Sequence, residues 1–477
     1  MSERGPSGTA GRLVVVLVLL ALLAGGIVLE RRTPEVTSTQ LTAVGTDGPV
    51  VPPANAVSTA WYCAAGTSVA GGAADETVYV ANLSPTDIAA TVTVDPGSGE
   101  AERTRRLELR AYERGRVRVG DILPAASPGV VVEVLGGPAI VEHEVRGGGD
   151  VAMSPCAQEP ARRWYFAAGG TTRGSTQTLD LFNPFGDDAI VDISFLTDGG
   201  VQEPQALQGF VVGRRSKVQV VVQDQVPRQD RVATFVQART GRVVAEQVRG
   251  FDGTDGAEGV AGRTGLTMAL GVSAPRRLFT LPVADAATGA TGVVSIANFG
   301  LAPAEVEVSI LLSGEGVLAP ESINVPSRSV VVVDPSARVP AGTTYAVVVR
   351  ALGGTPVVAE TFLSASRVAT ATGASSAARR WALAGSPARV SSAVVAVNRG
   401  NRPLTVELRA YTEGDANSPP SAPALVVAPG KVGRFDLGEW GIDPDQVLVV
   451  AADGPIVVGR EVYAGGVSLA LGVPFRG

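Results

Sequence analysis

Histidine and cysteine are nearly absent from this sequence of 477 residues, which holds one histidine and two cysteines. A single histidine excludes zinc sites built on several imidazoles and the H-E-x-x-H pattern of metalloproteases. Neither a C-x-x-C pair nor a G-x-S-x-G elbow occurs, so the usual motifs of redox centres and α/β-hydrolases are missing as well. We therefore predict no catalytic, cofactor-binding or metal-binding residues and a protein that is not an enzyme.

Basic patches and aromatic residues are also scarce. The net charge is −6 and is spread along the chain, so nucleic acid is not an expected partner. Aromatic residues make up 5% of the chain although 45% of it is hydrophobic. Valine-rich stretches broken by 58 glycines and 32 prolines are typical of many short strands, and the length predicts three or four domains.

One long apolar run stands near the N-terminus. Residues 13–29, LVVVLVLLALLAGGIVL, carry no charge and would span roughly 25 Å as a helix. Arg4 and Arg12 precede the run, which favours an uncleaved, single-pass transmembrane signal anchor with residues 1–12 cytoplasmic and the C-terminal bulk extracytoplasmic. A cleaved signal peptide is the alternative. Residues 30–60, rich in Thr, Ser and Pro, are predicted to form a flexible stalk.

The rest of the chain contains internal repeats. Four segments begin alike, STAWYCAAGT, ARRWYFAAGG, PRRLFTLPVA and ARRWALAGSP, and four landmarks then recur in one order at nearly one spacing. The opening positions are Trp61, Trp164, Leu278 and Trp381, and the strand-ending asparagines are Asn82, Asn183, Asn298 and Asn398. The basic positions are Arg114, Arg215, Arg328 and Lys431, and the positions in the last repeat motif are Glu142, Glu246, Glu360 and Arg460. These landmarks predict four modules, at residues 61–160, 161–275, 276–378 and 379–477.

Each module contains seven or eight short, alternating apolar and polar stretches separated by turn residues. This pattern predicts an all-β fold, with an N-terminal transmembrane helix followed by four tandem Ig-like β-sandwich modules. The alternative is a β-propeller in which each repeat supplies two four-stranded blades.

The repeat motifs resemble those of a known family. WYFAAGGTT followed by LDLFNP and RVVAEQV is similar to the WYFAEG-type repeat of actinobacterial exported, membrane-anchored proteins of unknown function. The resemblance covers nearly all of residues 61–477 and departs at Leu278, where the motif has tryptophan. It implies a single N-terminal membrane segment and an extracytoplasmic location, but no activity.

Cys63 and Cys156 bracket the first module, and in an exported protein they are expected to form a disulfide. His143, in the stretch AIVEHEV, is interpreted as a solvent-facing strand residue. The opening tryptophans are expected to pack in module cores rather than to stack on sugars. The loop 250–259 contains Asp252 and two further acids at 255 and 258, whose carboxylates could bind calcium. Whether it holds a calcium site stays open.

Glu142, Glu246 and Glu360 are predicted to pair with arginines on neighbouring strands. Because equivalent positions in separate modules are expected to lie far apart, these residues are not expected to form the two-carboxyl site of a glycosidase. The predicted function is that of a non-catalytic envelope protein, a rod of four modules that binds or scaffolds cell-wall polymer or a partner protein. The alternatives are an accessory subunit of an envelope biosynthesis or secretion complex and, less in keeping with the sequence, a carboxylate-dependent hydrolase.

Overall fold

The computed structural model describes residues 48–476, except for positions 70, 98, 99, 255–263, 286–290, 365–367, 388, 389, 416, 418–420, 465 and 466. The described residues belong to one compact unit, Asp47–Gly477. The predicted cytoplasmic tail, the apolar run 13–29 and the first part of the stalk lie outside the described residues. Within the described part of the chain, no helix is both long and apolar enough to cross a membrane.

Strands dominate the described chain, as its valine-rich composition predicts. The first module contains β1 Ser58–Cys63, β2 Asp75–Asn82, β3 Ile88–Asp95, β4 Arg103–Leu109, β5 Arg114–Arg118, β6 Gly129–Leu135, β7 Ala139–Gly147 and β8 Asp150–Pro155. The second contains β9 Arg163–Phe166, β10 Ser175–Asn183, β11 Ala189–Thr197, β12 Gly200–Gln202, β13 Phe210–Val212, β14 Ser216–Val221, β15 Val232–Thr240, β16 Val244–Asp252 and β17 Thr264–Leu270.

The third module contains β18 Leu278–Asp285, β19 Thr291–Asn298, β20 Ala304–Leu312, β21 Glu321–Val325, β22 Ser329–Val333, β23 Thr344–Ala351, β24 Val358–Ser364 and β25 Val368–Thr372. The fourth contains β26 Ala378–Leu383, β27 Ser391–Asn398, β28 Leu404–Tyr411, β29 Leu425–Val427, β30 Lys431–Asp436, β31 Val447–Tyr463, β32 Val467–Leu471 and β33 Val473–Pro474. The helical turns are α1 Val222–Gln225 and the 3₁₀ turns Val119–Asp121, Gln205–Leu207, Ser336–Arg338 and Leu437–Trp440.

Each of the first three modules folds into two antiparallel sheets. In the first module the strand orders are β1-β6-β3-β4 and β5-β2-β7-β8, and the third module repeats them as β18-β23-β20-β21 and β22-β19-β24-β25. In the fourth module the long strand β31 pairs with β26 and β28 in one half and with β27 and β32 in the other. The prediction of an all-β fold is confirmed. The propeller alternative is wrong, because strands that neighbour each other in these sheets are mostly not consecutive in the chain.

The opening tryptophans lie in the module cores. Trp61, Trp164 and Trp381 are at most 3% exposed, and each stands opposite a buried valine of the paired strand. In the third module the residue at this position is Phe279, which stands opposite Val349 and is fully buried. The assignment of Leu278 is therefore wrong by one residue, and that residue is only half-buried. Side chains alternate between the faces of a strand, so a shift of one residue exchanges core for surface.

The last landmark of the fourth module also shifts by one residue. Glu142, Glu246 and Glu360 each pair with the residue three positions before the landmark asparagine of their module. In the fourth module that pairing belongs to Gly459, not to Arg460. Arg460 instead occupies the position that His143 has in the first module.

The four modules form a closed ring. Strand β8 contacts β17, β17 contacts β25, β25 contacts β32, and β32 contacts β8. Met153 on β8 donates its N–H to Ser468 Oγ on β32 at 3.0 Å, and Val51 forms a bridge with Phe475. The expectation of a rod is wrong, because each module packs against two others. The predicted stalk is also too long at its C-terminal end, since Val50 and Val51 are 3% and 1% exposed.

The predicted disulfide is confirmed. Cys63 at the end of β1 is bonded to Cys156, which follows β8, and 93 positions separate them in sequence. In the second module Phe166 has the position of Cys63 and Gly271 that of Cys156. The Phe166 ring packs over Gly271 so closely that a Cβ added to this glycine would lie 2.8 Å from the ring. The disulfide therefore fills the volume that an aromatic side chain and a glycine share in the next module.

The landmark asparagines hold one turn and one hairpin in each module. Each is fully buried, and its Nδ2 donates to the carbonyl four residues ahead at 2.8 Å and to the hairpin carbonyls about 30 residues ahead. Its Oδ1 accepts the N–H two residues ahead. An aspartate or leucine could not satisfy donor and acceptor roles together, which explains the recurrence of asparagine.

Candidate functional site

Buried ionisable side chains gather at the junctions between modules. Glu142, Glu246 and Glu360 are at most 1% exposed, although glutamate is rarely buried without partners. Each carboxylate reaches into the loop after the first strand of the preceding module in the ring. We number the junctions by the modules they join: 1–2, 2–3, 3–4 and 4–1.

At junction 1–2, Glu246 binds two backbone amides of the first module. Its Oε2 accepts the N–H groups of Ala64 and Ala65 at 2.7 and 2.5 Å, and its Oε1 lies 3.0 Å from His143 Nε2. Hydrogen bonds to an ionised carboxylate are stronger than those between neutral groups. Glu246 therefore joins the second module directly to the backbone of the first.

His143 is fully buried between two carboxylates, so the prediction of a solvent-facing residue is wrong. Its Nδ1 lies 2.9 Å from Glu76 Oε1, and its Nε2 faces Glu246. Burial by itself lowers the pKa of His143, but the carboxylates of Glu246 and Glu76 raise that pKa to about 10. The ring is therefore an imidazolium at neutral pH and donates both N–H groups. The contact that satisfies His143 Nε2 comes from Glu246 of the second module, which a pattern within one strand does not show.

Two further charged groups complete junction 1–2. Lys217 is 4% exposed and donates from Nζ to the carbonyl of Gly66 at 2.6 Å, and it lies 3.7 Å from Asp180 Oδ1. Burial raises the pKa of Asp180 and also that of Glu76. Glu246, His143 and Lys217 make contacts across the junction, while Glu76 and Asp180 bind the cations from within their own modules.

The cysteines beside His143 do not form a metal site. The ligand atoms of Cys63, Cys156 and His143 lie within 4.8 Å of one another. Both sulfurs are joined in the disulfide, so neither offers a thiolate to a metal ion.

Junction 4–1 repeats the arrangement with different residues. Glu142 accepts the N–H of Ala384 at 3.2 Å, and its Oε2 lies 2.7 Å from Arg460 Nη2. Arg460 also donates to the carbonyl of Gly385. Arg114 has the sheet position of Lys217 and donates to the carbonyl of Ser386 at 2.7 Å. Glu142 does meet an arginine, as predicted, but that arginine belongs to another module.

Junction 2–3 retains the carboxylate and has no cation in the equivalent position. Glu360 Oε2 accepts the N–H of Ala168 at 2.8 Å. Gln247 occupies the position of His143 and donates to the carbonyl of Ala168 at 2.7 Å. Val330 occupies the position of Lys217. Burial raises the pKa of Glu360 to about 7.

Junction 3–4 lacks the carboxylate and the first of its two amide donors. Gly459 stands where the other modules have glutamate, and Pro282 stands where they have the amide of Ala64, Ala167 or Ala384. A Cβ added to Gly459 would lie 2.8 Å from Pro282 Cβ. Proline has no N–H to donate, so the loss of the carboxylate and the loss of its donor coincide.

A second set of contacts crosses each junction nearer the surface. Arg215 lies 2.9 Å from Glu102, Arg328 lies 2.8 Å from Glu203, and Lys431 donates to the carbonyls of Gly314 and Gly316. At junction 4–1 the Tyr112 and Tyr411 rings stack at 4.1 Å. The basic landmarks thus contact the preceding module, but they do not share one register. Arg114 has the sheet position of Lys217, two residues beyond Arg215, and Lys431 has that of Ser216.

The loop 250–259, where the sequence leaves a calcium site open, is described only as far as residue 254. Asp252 Oδ1 accepts hydrogen bonds from the N–H and hydroxyl of Thr254 at 2.9 and 2.7 Å. Residues 255–259, with the two other acids of the prediction, are not described.

Comparison with known proteins defines the family. The model of a family of unknown function, DUF5719, matches residues 139–262 and 261–468. The chain belongs to this family. No curated protein matches the chain.

Solved structures resemble this DUF5719 chain only weakly. A crystal structure of Thermotoga maritima 1070 is 19% identical, covers 24% of this chain and 94% of its own, and has a TM-score of 0.19. The tetra-tandem repeat in the extending region of a large adhesion protein is 11% identical, covers 88% of this chain and 100% of its own, and has a TM-score of 0.11. Scores this low support no conclusion about fold or function.

Proposed function

We propose that this chain is a non-catalytic, membrane-anchored extracytoplasmic envelope protein whose four Ig-like modules form a scaffold for cell-wall polymer or a partner protein. The observation that carries the proposal is the use of the landmark charges. Glu142, Glu246 and Glu360 bind backbone amides of the neighbouring module, which is the role of a group that holds a rigid body together.

Location and anchoring are inferred from two features. The apolar run 13–29 has the length and lack of charge of a membrane segment, and a disulfide persists in oxidising compartments outside the cytoplasm. The resemblance of the repeats to actinobacterial exported proteins supports an envelope location. A hydrolase would need two carboxyls facing a cleft, and the buried landmark glutamates do not support it.

Sedimentation with wall material tests the scaffold. The full chain, purified in detergent, is mixed with insoluble wall polymer, and separately with solubilised membrane extract followed by cross-linking and mass spectrometry. We expect the folded chain to sediment with the wall polymer, or to cross-link to one envelope protein. The same chain, reduced and unfolded in urea before dilution, controls for non-specific adhesion.

The outcomes separate the candidates. Binding only to a multi-subunit membrane complex would replace the scaffold with the accessory-subunit function. Binding to neither fraction by the folded chain would refute both. Protease added to intact cells with permeable walls is expected to degrade the four modules. Full protection of the modules would refute the extracytoplasmic location.

A further inference from the structure

The three junction glutamates share one sheet position but face different partners. His143 stands 3.0 Å from Glu246, and Arg460 stands 2.7 Å from Glu142. The equivalent residue toward Glu360 is Gln247, a neutral amide that donates to Ala168 rather than to the carboxylate. Two of the three buried carboxylates therefore have a cation beside them, and the third has none in that place.

The surroundings of Glu360 do not replace this cation. Among the described residues, its Oε1 has no hydrogen-bond partner. The N–H groups of Ala168 and Ala167 and the hydroxyl of Thr372 lower the pKa of Glu360, but burial outweighs them, and that hydroxyl also donates to the carbonyl of Leu270 at 3.0 Å. Ser295, opposite on β19, carries no charge.

The charged group whose field reaches Glu360 is Arg249 on β16. Its guanidinium packs on Phe251 and Phe362 at 5.0 and 4.9 Å from the ring centroids. An arginine keeps its charge from acidic to alkaline pH, so the field of Arg249 stays constant while other groups titrate. The group that titrates at this junction is therefore Glu360 itself.

We propose that junction 2–3 is a pH-sensitive contact, in which a proton on Glu360 takes the place of the cation found at junctions 1–2 and 4–1. Below neutrality the protonated carboxyl is uncharged and the junction holds. As the pH rises through neutrality the proton leaves, and a buried carboxylate with no ion pair opens the contact between the second and third modules. This inference goes beyond the proposed function and does not depend on it.

The direction of the pKa shift sets the direction of the pH effect. Burial raises the pKa of Glu360 to about 7, above the value of 4.5 for an exposed glutamate. A group of this kind contributes its full stability below the lower value and loses it as the pH rises through the higher one. For these two values, the open population of the junction should increase about tenfold between pH 6 and pH 8.5.

Hydrogen exchange of the full chain, corrected for the intrinsic rate, measures that opening. Peptides covering Ala167 and Ala168 should lose protection about tenfold between pH 6 and pH 8.5. The corresponding loop at Ala384 should change less than twofold, because Arg460 remains charged over this range. The loop at Ala64 is not a control, because the raised pKa of His143 makes junction 1–2 lose stability over part of the same range.

Two variants make the test specific. Glu360→Gln removes the titrating group and keeps its shape. Gln247→Arg places a cation beside Glu360, as Arg460 stands beside Glu142. Each variant should abolish the pH dependence of hydrogen-exchange protection at Ala168. Persistence of the tenfold change in either folded variant would overturn the proposal, as would an equal change at the Ala168 and Ala384 loops. Should Glu360→Gln fail to fold, Gln247→Arg alone decides the outcome.

Discussion

The glutamate–amide contact that junction 3–4 lacks can be introduced there by two substitutions, which tests what the contact contributes. Gly459→Glu places the missing carboxylate, and Pro282→Ala supplies the missing N–H. Each change alone should be unfavourable. In Gly459→Glu the new Cβ would lie 2.8 Å from the proline ring, and the buried carboxylate would have no amide donor at residue 282.

The magnitudes follow from the geometry of the other junctions. An unpaired buried charge costs about 3–5 kcal/mol, and overpacking adds about 1–3 kcal/mol. Pro282→Ala alone should cost about 1 kcal/mol of packing. In the double variant the ring is gone and the carboxylate accepts an N–H, a bond to a charged group that contributes about 1.5–3 kcal/mol. The two changes should therefore be coupled favourably by at least about 2 kcal/mol.

Urea unfolding of the four proteins measures this coupling. The free energies of unfolding of the wild type, both single variants and the double variant close a double-mutant cycle. Unchanged slopes with urea confirm that one transition is compared throughout. Additive effects, with coupling below about 0.5 kcal/mol, would refute the assignment of residues 459 and 282 to the position of the glutamate contact.

Three further predictions concern single sites. His143→Gln should flatten the pH dependence of the unfolding free energy between pH 6.5 and about 10. The raised pKa of His143 contributes stability that is complete below pH 6.5 and is lost as the pH rises to about 10. Urea midpoints at pH 6, 8 and 10 measure this, and the same pH dependence in variant and wild type would contradict it. Phe279→Ala should cost about 3–5 kcal/mol and Leu278→Ala under about 1.5 kcal/mol by thermal unfolding, and the reverse order would contradict the register of the third module. Replacing Cys63 and Cys156 by serine should cost about 4 kcal/mol in urea unfolding and remove the effect of reductant; a stability equal to that of the oxidised wild type would contradict a structural disulfide.

The sequence predicted the all-β class and the disulfide because both leave local or countable signals. Strands leave a period of two, and two cysteines allow only one pairing. The recurrence of asparagine also has a local cause, since Asn183 holds a turn and a hairpin of its own module. Register was less secure, because motif matching tolerates a shift of one residue. Leu278 and Arg460 were each misplaced by that amount, and Arg114 by two residues.

The roles of the charged landmarks could not be predicted in this way. His143 and Glu246 are buried charged residues in valine-rich strands, and the contact that joins them crosses from one module to the next. One signal was present in the sequence, since a charged landmark recurring in three repeats is unusual for a freely solvated surface. Pro282 coinciding with Gly459 was a second signal, but it is visible only once the correct register is known.

Strand positions, module length and the disulfide follow from the order of amino acids alone, because they depend on alternation, turn residues and cysteine count within one module. Closure of the modules into a ring, and the contact of Glu246 with Ala64 rather than with water, follow from the packing of distant segments. Contacts between modules depend on which sheet faces pack together. A buried carboxylate that binds a distant backbone amide has the same sequence pattern as a carboxylate in solvent.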